Sequence, residues 1–322
     1  MSYSSLSRKE FLIGSGTTAA GLALTGAGKI LDGSKQEERY HNGRSPWPIS
    51  LDTATIRPAS TIEEKIRIAA EAGYDAIEPW EGELNEYEQN GGDLRELGEQ
   101  IRDLGLDVPN VVALWNAIPP TQAGWDSMQE DHRRRFRQTM EIGATYIQTV
   151  LTPAREWHEY NLDWAAARYR DLLEMGIEEY NVLPALNFLQ FLPHNQRIGQ
   201  ASAIALNADH PQAKIIPDTF HMYVGGSGWN GLQHIQGHFI AIFQINDVPD
   251  SPPREELEDE HRVYPGDGIF PLPRILRDLK GTGYKDFISL QLFNPVYWEQ
   301  DLLEVARTGL EKTLAVIEEA GV

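Results

Sequence analysis

The chain has 322 residues, with 28 Lys and Arg against 48 Asp and Glu, a net charge of −20, and no cysteine. Such an acidic surface repels phosphate backbones and anionic lipid headgroups, and the missing thiols exclude disulfides, thiolate metal sites and cysteine nucleophiles. With 41% hydrophobic residues and charges of both signs interspersed, the chain can bury a core, yet it has no apolar run of the ~20 residues that a membrane-spanning helix needs.

Residues 1–45 read as a leader rather than fold. Ser7-Arg8-Lys9-Glu10-Phe11-Leu12 precedes a mild Gly, Ala, Thr and Leu run through Ala27, and a polar linker extends from Asp32 to Ser45. A basic start before a weakly apolar run is the pattern of an export signal. It resembles a twin-arginine signal with Lys9 where the second Arg is expected, which predicts an exported, periplasmic protein. The alternative is an N-terminal extension of a cytoplasmic one.

From Pro46 onward, short β-branched runs alternate with amphipathic stretches. Strands are predicted at Ile49–Ile56, Ala76–Pro79, Val108–Leu114, Tyr146–Leu151, Leu183–Leu189, Ile215–Thr219, Ala241–Asn246 and Phe287–Phe293. Helices are predicted from the Thr61 capping box to Gly73, and at Asp93–Gly105, Met128–Gly143, Asp163–Glu179, Gln200–Ala208, Leu272–Gly283 and Leu302–Ala320. The glycines after Met222 leave only a loop with a short helix for the sixth crossover. Strands that alternate with helices pair in parallel. Eight such units over residues 46–322 favour a single (β/α)8 TIM barrel over two open sheets. No Gly-x-Gly-x-x-Gly turn follows the first strand and Gly225-Gly226-Ser227-Gly228 lacks a phosphate-binding lysine, so no nucleotide cofactor is expected.

In such a barrel the chemistry sits at the C-terminal ends of the strands. There the sharpest pair is Asp218, able to hold a hard cation, and His221, able to exchange protons near neutral pH. The alternative is a helix-capping carboxylate and a packed histidine. His261-Arg262 offers a cation for a polyhydroxylated or anionic ligand, or else belongs to a charged loop. Glu78 and His158 are further acid or base candidates, and Asp247 ends the seventh strand. Trp80, Trp115, Trp157, Trp229 and Trp298 all follow predicted strands and suit a carbohydrate pocket, since sugar C–H faces stack on aromatic rings. They suit a barrel cover or an oligomer contact equally well.

Ile49-Ser50-Leu51-Asp52, Ala76-Ile77-Glu78-Pro79-Trp80, Asp218-Thr219-Phe220-His221, Gln244-Ile245-Asn246-Asp247 and His261-Arg262-Val263-Tyr264-Pro265-Gly266-Asp267-Gly268 occur in that order. Together they resemble the sugar phosphate isomerase/epimerase family, the xylose isomerase-like barrels that include ketose 3-epimerases, inosose dehydratases and dehydroshikimate dehydratases. The resemblance implies a divalent ion (Mn²⁺, Mg²⁺ or Co²⁺) held by Glu, Asp, His or Gln, and Glu at the ends of strands five to eight. By position these are Asn187, Asp218, Gln244 and Gln291. Two expected glutamates are therefore amides, and the charge of the set falls from about −3 to −1, so weak metal binding is expected. Amides cannot serve as bases, which argues against a two-glutamate epimerase. The expectation is an enzyme on a sugar, keto-sugar or polyol that uses lyase-type proton chemistry through His221, with His261, Arg262, Trp80, Trp115 and Asp247 meeting the substrate. A non-catalytic carbohydrate-binding barrel is the alternative.

Overall fold

The computed structural model describes residues 40–153 and 159–322. The expected leader, as far as residue 39, lies outside the described residues, as do Trp157 and His158. Residues 40–45, read from the sequence as linker, are part of the described structure. His41 binds Asp75 at 2.7 Å, and Arg44 reaches Glu318 at 2.6 Å and Glu311 at 3.0 Å, so residues 40–45 are folded against the barrel rather than linking to it.

The chain order is β1 (Ile49–Asp52), α1 (Ile62–Ala72), β2 (Ala76–Glu78), α2 (Glu81–Gln89), α3 (Leu94–Asp103), β3 (Asn110–Ile118), α4 (Gln122–Ile142) and β4 (Tyr146–Leu151). There follow α5 (Leu162–Tyr180), β5 (Leu183–Asn187), α6 (Ile198–Asn207), β6 (Ile215–Ile216), α7 (Thr219–Val224), β7 (Phe243–Ile245), α8 (Leu272–Gly281), β8 (Ile288–Leu290), α9 (Pro295–Trp298) and α10 (Leu302–Ala320). All strand pairs are parallel, in two four-stranded runs ordered β2-β1-β8-β7 and β3-β4-β5-β6. Parallel bridges at Ala76–Asp107 and Trp80–Val112 join one seam, and bridges at Ile215–Ile240 and Asp218–Gln244 join the other. The result is the closed (β/α)8 TIM barrel that the alternation predicts.

Most strands stop earlier than their β-branched runs, because a polar side chain turns the chain out of the sheet. Asp52 accepts the Ala54 N–H at 2.7 Å and starts a 3₁₀ turn over Thr53–Ile56. Pro217 has no N–H to donate, and Asp218 caps α7 by accepting the His221 N–H at 3.0 Å. β3 instead runs on to Ile118, through register shifts against β4 and a left-handed Asn116 at φ 55° beside Trp115. Helix α2 has few apolar residues, which hid it from the sequence pattern. Its first turn is held by Glu83, which accepts the Trp80 N–H at 3.0 Å.

Ile77, Val111, Ile147, Ile245 and Leu290 belong to one continuous apolar core. Their strand neighbours Glu78, Asn110, Gln148, Gln244 and Ser289 are buried polar side chains. This polar layer and the strand ends above it form the candidate site.

Candidate active site

Arg262 organises the site. Its side chain is 1% exposed, and its Cζ lies 4.5 Å from the Phe220 ring centroid and 4.9 Å from that of Phe293. Nη1 donates to Asp218 Oδ2 at 2.8 Å and to Gln291 Oε1 at 2.9 Å. Nη2 donates to Asp259 Oδ1 at 2.5 Å and to His221 Nε2 at 3.2 Å, and Nε donates to Asp259 Oδ1 at 3.0 Å. All five N–H groups of the fork thus have protein partners. The sequence leads one to expect Arg262 at substrate oxygens; in this structure its N–H groups are engaged by the protein, and the group places a positive charge at the site.

Because a guanidinium can only donate, His221 must accept at Nε2 and carry its proton on Nδ1. Burial lowers the proton affinity of the imidazole, Asp218 raises it and Arg262 lowers it again, for a net shift downward; His221 is neutral at pH 7. Burial works against charge on Asp259 as well, but the Arg262 guanidinium outweighs it and holds the carboxyl below its usual range. His221 Nδ1 and Asn187 Oδ1 are buried and have no partner among the described residues, a pattern that ligand groups complete.

A second chain of hydrogen bonds crosses the barrel. Asn187 Nδ2 donates to Gln244 Oε1 at 3.2 Å, and Gln244 Nε2 donates to Glu78 Oε1 at 3.0 Å and Gln148 Oε1 at 3.2 Å. Glu78 also receives Asn110 Nδ2 at 2.6 Å and the Ser289 hydroxyl at 2.5 Å. Burial, followed by the nearby Asp52 carboxylate, pushes Glu78 up to about 8 against the pull of these donors. Asp52 accepts from Gln291 Nε2 at 2.7 Å, Trp80 Nε1 at 2.9 Å and the Ala54 amide, and burial lifts it to about 6.

The expected rim is partly present. Trp80 and Trp115 are half-buried with centroids 6.1 Å apart, and Phe293 meets Trp80 edge-on at 5.8 Å. Exposed Arg57 lies 5.1, 5.2 and 5.4 Å from the Trp80, Phe293 and Trp298 rings. It has no acid partner among the described residues. Trp229 instead stacks on Tyr223 and meets Phe270 edge-on.

Two expected ligand contacts are put to other uses. Both oxygens of Asp247 are taken by backbone N–H groups: Oδ1 by Val248 and Phe270 at 2.9 Å, Oδ2 by Gly266 and Gly268 at 3.2 Å. Asp247 is the anchor of the Gly-Asp-Gly turn, and a Cβ at Gly268 would run into that carboxylate. The His261 ring turns back on its own 3₁₀ turn, where Nδ1 accepts the Glu258 N–H at 2.9 Å.

The xylose isomerase-like TIM barrel family matches residues 66–316 of the chain. The chain belongs to this family. A protein named inosose isomerase from Bacillus velezensis is 27% identical over 275 residues, 84% of this chain and 96% of that one. A 3-dehydroshikimate dehydratase from Pseudomonas putida is 24% identical over 276 residues, 83% of this chain but 41% of that one. Among solved structures, the IolI protein with a bound zinc atom superposes with a TM-score of 0.76 at 24% identity, covering 85% and 99% of the two chains, which supports the shared fold.

The family resemblance implies a divalent ion, and the donors present here do not fit one. Of the four strand-end side chains only Asp218 is acidic; its oxygens face Arg262, the His221 N–H and Asn246 Nδ2. The Gln291 and Gln244 oxygens are already accepting from Arg262 and Asn187. Among the described residues no group of three His, Asp or Glu is placed to hold a metal. Reasoning from sequence overlooked Asp52, Asp259, Asn110, Gln148 and Ser289. Only Asp52 carried a signal, as the last residue of a strand whose end was read four residues too late.

Proposed function

We propose that this barrel is a carbohydrate-active enzyme of the isomerase and lyase type that eliminates water from a polyhydroxylated ketone. The observation that carries the reading is His221: a neutral imidazole, fixed by Arg262 as the Nδ1–H tautomer, with that N–H uncommitted. The names of its relatives, an inosose isomerase and a 3-dehydroshikimate dehydratase, support the substrate class.

The chemistry follows from proton affinities. A C–H beside a ketone is acidic enough for one carboxylate of raised affinity to remove its proton; we assign this to Asp52, whose Oδ2 accepts only from Gln291 among the described residues and keeps a lone pair beside the strand ends, and whose affinity burial raises. The electron pair moves onto the ketone oxygen, where the His221 Nδ1–H donates a hydrogen bond and the Arg262 charge stabilises the enolate. The enolate then collapses and expels hydroxide from the adjacent carbon. The proton held by Asp52 leaves with it as water, so the base is restored and no redox partner is required. Trp80 and Trp115 suit the C–H face of the ring, and Arg57, without an acid partner among the described residues, favours a substrate with an anionic edge.

The test is a panel of keto-sugars and cyclic keto-polyols followed by the rise of enone absorbance and the loss of water by mass. Wild type is expected to dehydrate at least one of them, and His221→Gln to lower kcat by ~10²–10⁴. Product of unchanged mass, formed equally well by His221→Gln, would refute the reading. A second reading, a barrel that binds carbohydrate without turnover, is favoured by the amides at 187 and 291; saturable binding with no product across the panel would select it.

A further inference from the structure

We infer that the Arg262 guanidinium is the resident cation of this site, standing where its relatives' resemblance leads one to expect a divalent ion, so that the protein binds its ligand without metal. The inference deepens the reading above, but it concerns charge and binding, and its test does not depend on turnover.

Three observations converge on it. The first is position: Arg262 Nη1 contacts two of the four strand-end side chains, Asp218 and Gln291, at 2.8 and 2.9 Å. The second is charge. The buried monocation is matched by the buried Asp218 and the half-buried Asp259, both within hydrogen-bond distance. A dication added beside Arg262 would leave excess positive charge buried there, and amide oxygens could not offset it.

The third is hydrogen-bond polarity. Gln291 accepts from Arg262 through its oxygen and donates to Asp52 through its nitrogen at 2.7 Å. A glutamate could accept from Arg262, but its second oxygen would face the Asp52 carboxylate with no proton between them. Asn187 likewise donates to Gln244, which donates in turn to Glu78 and Gln148. A carboxylate at 187 would have nothing to donate. The amides are therefore the side chains that a guanidinium-centred site requires, rather than remnants of a damaged metal site.

The experiment measures metal content by plasma mass spectrometry on protein purified without chelator, and Mn²⁺ binding by calorimetry. Wild type is expected to carry well under one equivalent of any divalent metal and to show no saturable Mn²⁺ binding. Asn187→Glu/Gln291→Glu tests the competition, because Arg262 still occupies the centre. Adding Arg262→Met to that pair is expected to tighten Mn²⁺ binding at least tenfold. One equivalent of metal in wild type, lost in Asp218→Asn, would overturn the inference, as would equal Mn²⁺ affinity in the double and triple variants. Should the triple variant not fold, the wild-type measurement decides by itself: absence of saturable Mn²⁺ binding upholds the resident guanidinium, and its presence overturns it.

Discussion

Replacing Glu78 by glutamine isolates the free energy of the carboxyl buried in the barrel. In the folded protein burial and the Asp52 charge raise its proton affinity to about 8, from an ordinary value of 4.5. The unfolded chain therefore releases this proton from about pH 4.5 upward while the folded chain keeps it until about pH 8. Folding stability is lost across that window and the loss is complete above it. At ~1.4 kcal/mol per tenfold change in proton affinity, the displacement amounts to a few kcal/mol, with ~5 kcal/mol as its ceiling. Glutamine preserves the shape of the site: its oxygen can accept from Asn110 and Gln244, and its nitrogen can donate to the Ser289 hydroxyl. Urea unfolding at about pH 5, 7 and 9 should show Glu78→Gln gaining on wild type as pH rises, by ~2–4 kcal/mol between the extremes. A stability difference that stays constant with pH, or one that moves against the variant, would refute the placement of a proton-retaining carboxyl in the barrel.

Other perturbations test the remaining assignments. Asp247→Ala leaves four backbone N–H groups without their acceptor and is expected to cost ~2–4 kcal/mol, read as a lowered Tm, with ligand affinity changed far less than stability. Arg57→Met keeps the packing against Trp80, Phe293 and Trp298 but removes the charge. It is expected to raise KM about tenfold for carboxylate-bearing substrates and to leave KM for neutral ones unchanged; an equal rise for both classes would assign Arg57 to packing alone.

The barrel is legible in the sequence because parallel strands are short apolar runs between amphipathic helices, and each helix carries its own stop: Gly73 and Gly143 end α1 and α4 in the left-handed conformation. The site is legible only where a residue's role follows from its position on a strand. Asp218, Gln244, Asn187 and Gln291 lie at or near strand ends, where the alternation of strands and helices puts them. Asp52 is obscured because Thr53–Ile56 continues the β-branched pattern while the side chain of Asp52 itself ends the strand. The uses of Arg262 and Asp247 depend on contacts 44 and 19–23 residues away, from Asp218 in one case and from Gly266, Gly268 and Phe270 in the other. A pattern of residue types along the chain carries no information about such pairings.

The strand-end glutamines Gln244 and Gln291 also bear on where acid and base character resides in this barrel. Each strand-end glutamine donates its N–H to a carboxyl on another strand: Gln291 on the β8 side to Asp52 of β1, and Gln244 of β7 to Glu78 of β2. Burial raises the proton affinity of both carboxyls, to about 6 and about 8. Had 291 remained a glutamate, its oxygen would lie 2.7 Å from Asp52, and two such groups could not both ionise without a cation between them. The amide removes that repulsion and leaves Asp52 free to cycle between its protonated and ionised forms near pH 6. Amides at 187 and 291 and the carboxyls of Asp52 and Glu78 thus belong to one hydrogen-bonded arrangement, in which the Arg262 guanidinium supplies the positive charge and the glutamines carry its polarity across the barrel.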